Sequence, residues 1–154
     1  MDLNQDFYEF FTSLINHDVR FLVVGGYAMA AHGHPRFTKA LDVWVWMDPA
    51  NGAAVMAALD EFGFGSLGLD AADFNEPDTV VQLGYPPKRI DVLTTPSGVT
   101  FDECWPDRLM VTIDQLHIPV LGLQGLIDNK LAAGRDQDGV DVAALRRVLR
   151  RKRP

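Results

Sequence analysis

At 154 residues and 47% hydrophobic, the chain suits one domain with a single core. No apolar run reaches the ~18–20 residues of a membrane helix, the N-terminus MDLNQDFYEF lacks the regions of a secretion signal, and the lone Cys104 excludes an internal disulfide, so a cytosolic setting is expected. The formal charge is −7, yet residues 146–153 (RRVLRRKR) hold six of the fourteen basic side chains and no acid. Such an end suits either a polyanion or acidic partner surface, or simply the C-terminal dipole of a helix.

In chain order, Phe7, Phe10, Phe11, Leu14 and Ile15 recur at helical spacing, which predicts an amphipathic helix over 5–16. RFLVV (20–24) reads as a short strand broken by Gly25-Gly26, and YAMAAHG (27–33) as a short helix ended by Gly33. A strand follows at about 40–47, with Ala40, Asp42, Trp44 and Trp46 on one face and Leu41, Val43, Val45 and Met47 on the other. DPANGAAVMAALDEFGF predicts a helix capped by Asp48 with Pro49 in its first turn and Val55, Met56 and Leu59 as its buried stripe.

Residues 65–78 read as a Gly- and Asp-rich loop, TVVQL (79–83) and RIDVLT (89–94) as strands joined by GYPPK, and 95–108 as irregular with one short turn at most. LMVTI (109–113) and LHIPVLG (116–122) are strand-like, and helices close the chain at about 123–133 and 138–151. The order predicts an α/β (α+β) domain with a mixed sheet flanked by helices.

Three features carry chemistry. A strand, two glycines and a helix leave backbone N–H groups open to a phosphate, or make only a tight turn. Asp42 and Asp91 sit in apolar strand contexts, where an acid faces solvent, pairs with a cation or binds a metal such as Mg²⁺. Lys130 and Arg135, followed by Asp138 and Asp141 at i, i+3, form either a phosphate clamp steadied by acids or a set of surface ion pairs. Trp44 and Trp46 share the face of Asp42 and either stack a base or pack. His32 and His34 have no further pair of ligands for zinc.

Together, LVVGGYAMAAHGHPRFTKALDVWV, RIDVLT and NKLAAGRDQDGVDVAAL resemble the nucleotidyltransferase-fold superfamily, and within it the small branch of type IV toxin–antitoxin toxins and abortive-infection proteins. The likeness covers about residues 20–145 of a single nucleotidyltransferase-like domain, with 146–154 as its basic end. It implies Mg²⁺- or Mn²⁺-dependent transfer of a nucleoside monophosphate from an NTP to an acceptor hydroxyl on RNA (such as tRNA) or protein, with an antitoxin as a further partner. Gly25 and Gly26 would line the triphosphate site, Asp42 and Asp91 would be catalytic metal ligands, and Lys130 and Arg135 would neutralise phosphate charge. Arg36, Thr38 and Lys39 occupy motif positions at the same mouth, and Asp138 and Asp141 support the cations.

The sequence departs from that pattern at one place. The family reads D-h-D on the first acidic strand, and here the first acid is Ala40. Three accounts stay open: an inactivating substitution, a natural pseudoenzyme that binds nucleotides or partners, or a replacement acid from Asp70, Asp73, Glu76 or Asp78.

Overall fold

The computed structural model describes residues 3–65 and 67–152. The last part of the basic end, residues 153–154, therefore lies outside the described residues. The first helix, α1 (Gln5–Asn16), begins where the Asn4 side chain accepts from the Phe7 amide at 2.9 Å. It buries Phe7, Phe10, Phe11 and Leu14, and the Phe11 ring stacks on Phe21 of β1 (Phe21–Val24) at 5.9 Å. Next come α2 (Gly25–Ala31), β2 (Ala40–Val45) and α3 (Pro49–Phe62). The hairpin β3 (Val80–Leu83) and β4 (Arg89–Leu93) precedes a short helix α4 (Phe101–Cys104), a second hairpin of β5 (Leu109–Ile113) and β6 (Leu116–Val120), and the closing helices α5 (Leu123–Ala133) and α6 (Asp136–Lys152).

The six strands form one mixed sheet in the order β3-β4-β2-β1-β6-β5. β2 runs parallel to β4 and antiparallel to β1, while β6 runs parallel to β1. The central strands β1 and β2 are buried almost throughout, as apolar runs covered on both faces require. No helix among the described residues is long and apolar enough to cross a membrane.

The expected elements appear in the expected order, with shifted boundaries. α2 starts on the glycines themselves rather than at Tyr27. β2 stops at Val45: the Trp46 N–H still donates to the Arg20 carbonyl at 3.1 Å, but the Trp46 carbonyl accepts from the Asn51 side chain at 2.8 Å. The 65–78 segment contains a 3₁₀ turn at Ala71–Asn75, closed by a reciprocal cap between Asp70 and Asp73 that buries Phe74 completely. Within 95–108, α4 and a 3₁₀ turn at Trp105–Asp107 replace the irregular stretch. Asp48 caps α3 by accepting from the Ala50 and Asn51 amides, as the sequence predicts. Val55 and Leu59 are buried in the α3 stripe, whereas Met56 is only half-buried.

Asn51 ties the start of α3 to the ends of β1 and β2. It accepts from the Arg20 amide at 2.8 Å and donates to the carbonyls of Arg20 and Trp46 at 3.0 and 2.8 Å. Truncation strands the Arg20 amide and the Trp46 carbonyl at a residue that is 7% exposed, while the Arg20 carbonyl keeps the Trp46 N–H at 3.1 Å. Asn51→Ala should therefore lower unfolding free energy by about 2–3 kcal/mol, read by urea denaturation.

Candidate functional site

The site is set by strand register. Val24, the last residue of β1, lies opposite Asp42, and Asp42 lies beside Asp91 in the parallel β2–β4 pair. Paired residues on adjacent strands project to one face of the sheet, so the two carboxyl groups meet there, close enough to hydrogen-bond to each other. Asp91 is 8% exposed and Asp42 half-buried, so neither is a freely solvated acid at a strand end. Burial, then the charge of Asp91 and the hydrogen bond to it, push the Asp42 carboxyl up from 3.8 to about 7, against the opposing charges of Arg89 and Arg135.

The glycines make this meeting possible. Gly25 has φ +68°, and a Cβ there would collide with Oδ2 of Asp42. A Cβ on Gly26 would stand 2.7 Å from Cβ of Thr38. The β1–α2 corner thus lies directly on Asp42 and Thr38, and the Thr38 hydroxyl donates to the Ala40 carbonyl at 3.1 Å. Beside this corner a cavity of about 690 Å³ is lined by Gly26, Tyr27, Arg36, Phe37, Thr38 and Lys88, among others. Lys39 next to it is exposed.

The α5–α6 corner supplies an ion cluster. Lys130 Nζ lies 2.7 Å from Asp141 and 3.5 Å from Asp138. Arg135 forks onto Asp138 through Nε and Nη2 at 2.7 and 3.1 Å, and Arg36 reaches Asp141 at 3.1 Å. Gln137 adds a hydrogen bond to Asp141 at 3.0 Å. Burial opposes ionisation of Asp138 and Asp141. For Asp138 the hydrogen bonds and charge of Arg135, with the charge of Lys130, outweigh that burial. For Asp141 the hydrogen bonds of Lys130 and Gln137, with the charges of Lys130 and Arg36, do the same, and both carboxyls are held below the usual range.

The alternative of surface ion pairs is thereby corrected: the side chains of Lys130, Asp138 and Asp141 are 3%, 1% and 3% exposed. Of the two cations expected to face a phosphate, Lys130 is enclosed by carboxylates and Arg135 is 74% exposed. The Arg135 charge acts on Asp42 and so couples this corner electrostatically to the carboxyl pair.

Trp44 is 2% exposed, donates Nε1–H to the Thr94 carbonyl at 2.9 Å and meets Phe101 edge-on. It packs and offers no face to a base. Trp46 carries the Arg20 guanidinium over its ring at 4.8 Å. Asp70 and Asp73 are used by their reciprocal cap, and Asp78 accepts from the Thr95 hydroxyl. No group of three or more His, Cys, Asp or Glu gathers among the described residues, so none of these acids joins Asp42 and Asp91.

Sequence reasoning missed Arg89. It lies in register with Ala40 and grips both oxygens of Asp91, Nε to Oδ1 at 2.9 Å and Nη2 to Oδ2 at 3.0 Å. Its i, i+2 spacing from Asp91 was the available signal, since alternate strand residues share a face.

Whether a metal fits turns on these donors. Two carboxyl groups meet by register, with Asp42 driven toward protonation first by burial and then by Asp91; one divalent ion would fit between them in competition with the Arg89 guanidinium that already holds Asp91. A second ion at ~3.5–4 Å needs a bridging acid, and Ala40, 4% exposed, has none to give.

No family model matches the chain, and no curated protein matches it. Among solved structures, a crystal structure of a "putative nucleotidyltransferase" from Thermotoga maritima is similar at a TM-score of 0.61 and 18% identity, over 95% of this chain and 91% of that one. The mixed sheet with its flanking helices is thus a nucleotidyltransferase-like fold.

Two predictions follow from the charges. Asp42 has a folded-state pKa above its ordinary value, so its contribution to stability is complete below about 3.8 and lost as pH rises through about 7. Asp42→Asn, which keeps the neutral shape, should be the more stable protein near pH ~8, with an advantage that shrinks as pH falls and vanishes only below about 3.8, measured by denaturation in chelator. Lys130→Met leaves Asp138 and Asp141 without their buried ammonium and should cost about 3–5 kcal/mol by the same measurement.

Proposed function

We propose that the chain is a nucleotidyltransferase-type protein that binds an NTP with Mg²⁺ (or Mn²⁺) and whose transfer of a nucleoside monophosphate is impaired at position 40. The observation that carries this reading is the register that sets Asp42 beside Asp91 under the glycine corner. Asp42 and Asp91 would hold the ion, which supplies charge neutralisation at the phosphates and activation of the acceptor oxygen.

The chain's own groups do the rest. Gly25 and Gly26 open the backbone N–H groups at the start of α2 to phosphate oxygens. Arg36 and Arg135 are the accessible cations for the triphosphate, with Lys39 at the rim and Thr38 fixing the turn into β2. Lys130, Asp138 and Asp141 act from behind, by holding Arg36 and Arg135 in place. In the transfer the acceptor hydroxyl oxygen bonds to the α-phosphorus, pyrophosphate leaves with the bonding electrons, and the hydroxyl proton passes to solvent or a nearby carboxylate. The acceptor is RNA, such as tRNA, or a protein hydroxyl, in a toxin-like role within the cytosol.

A second reading is a degenerate module that binds a nucleotide or an antitoxin without catalysis. It is favoured by Ala40 together with the fork of Arg89 on Asp91, which leaves one carboxyl group unpaired. The discriminating variant is Ala40→Asp. With labelled NTP, Mg²⁺ and RNA and protein acceptors, it should transfer at least about a hundredfold faster than wild type. Absence of transfer by this variant, with NTP or partner binding retained in calorimetry, selects the second reading.

A further inference from the structure

We infer that Arg89 is a resident counter-ion of the carboxyl pair, which competes with a divalent cation for Asp91 and so sets the metal affinity of the site. The inference rests on the proposed role of Asp42 and Asp91 as the cation site.

Both oxygens of Asp91 are occupied. The Arg89 guanidinium meets them in parallel at 2.9 and 3.0 Å, the fork geometry in which arginine binds a carboxylate most strongly. Asp91 is 8% exposed and the Arg89 side chain 24% exposed, so the pair is only weakly screened. A metal ion draws on the same two oxygens. Its binding must either displace the guanidinium or share those oxygens with a neighbouring positive charge, and either cost is subtracted from the affinity.

The register explains why Arg89 lies where it does. Its direct partner across β2–β4 is Ala40, and Asp42 is partnered with Asp91 two residues further on. A carboxylate at position 40 would be the nearest acid to Arg89 across the strands, at the Cβ separation where opposite charges pair. Alanine offers no acceptor, and the guanidinium turns along its own strand to Asp91. The residue at 40 and the state of Asp91 are thus coupled through Arg89. The missing acid removes a ligand and also leaves a cation on the ligand that remains.

The test is Mn²⁺ binding to the full chain, followed by electron paramagnetic resonance and by calorimetry, without nucleotide. Arg89→Gln should bind Mn²⁺ about tenfold to a hundredfold more tightly than wild type, the range expected for losing a charge-assisted hydrogen-bonded competitor. Arg89→Lys, which keeps the charge and loses the fork, should fall between them. Ala40→Asp alone should tighten binding, and adding Arg89→Gln to it should gain less than in the wild-type background. Circular dichroism and thermal unfolding of each variant confirm that a folded chain is titrated.

Wild type and Arg89→Gln binding Mn²⁺ equally, with both losing it on Asp42→Asn, would overturn the role of Arg89 and leave the cation site standing. Binding by none of the variants, or binding indifferent to Asp42→Asn, would remove the cation site itself and with it the premise.

Discussion

The meeting of Asp42 and Asp91 is the constraint around which the rest is arranged. Like charges on neighbouring strands destabilise a sheet, and here the fold compels the contact by register. Three adjustments accompany it: the Asp42 carboxyl holds a proton up to about 7, Arg89 covers Asp91, and Gly25 removes the side chain that would otherwise strike Asp42. A buried like-charge pair with this much local accommodation has the character of a functional site, because a packing role would be met more cheaply by two apolar residues.

The helical corner behind the site has a different purpose. Lys130 is enclosed between Asp138 and Asp141, and the same carboxylates hold Arg135 and Arg36. Buried ion clusters contribute little net stability relative to apolar packing, but they fix geometry. Here the cluster joins the consecutive helices α5, through Lys130, and α6, through Asp138 and Asp141, to the sequence-distant loop before β2 through Arg36. Two arginines are thereby oriented while a lysine and two aspartates are withdrawn from solvent.

Periodicity was enough to read the order of elements, because the apolar stripes of α1 and α3 and the apolar strand runs are decided locally. Boundaries were less legible. The start of α2 at Gly25 depends on close contact with Asp42 and Thr38, and the end of β2 on a hydrogen bond from Asn51; both are tertiary. The acids of the site were legible as misfits in apolar strands. The lysine of the α5–α6 corner was legible as a residue but not as a buried one, since its partners lie 8 and 11 positions away on another helix. The i, i+2 spacing of Arg89 from Asp91 was legible, but its place opposite Ala40 was not. Its neighbour Ala40 is known only from the pairing of strands separated by α3 and β3.

The charges around the cavity act over two distances. Arg36 and Lys88 line it and Lys39 follows the lining residue Thr38, whereas the chain as a whole is formally −7. An approaching anion therefore meets repulsion from the body at long range and attraction at the rim at short range. At about 0.1 M salt the screening length is ~10 Å, which attenuates the first far more than the second. For such a molecule added electrolyte weakens the long-range repulsion of an anion before it weakens the short-range attraction at the rim.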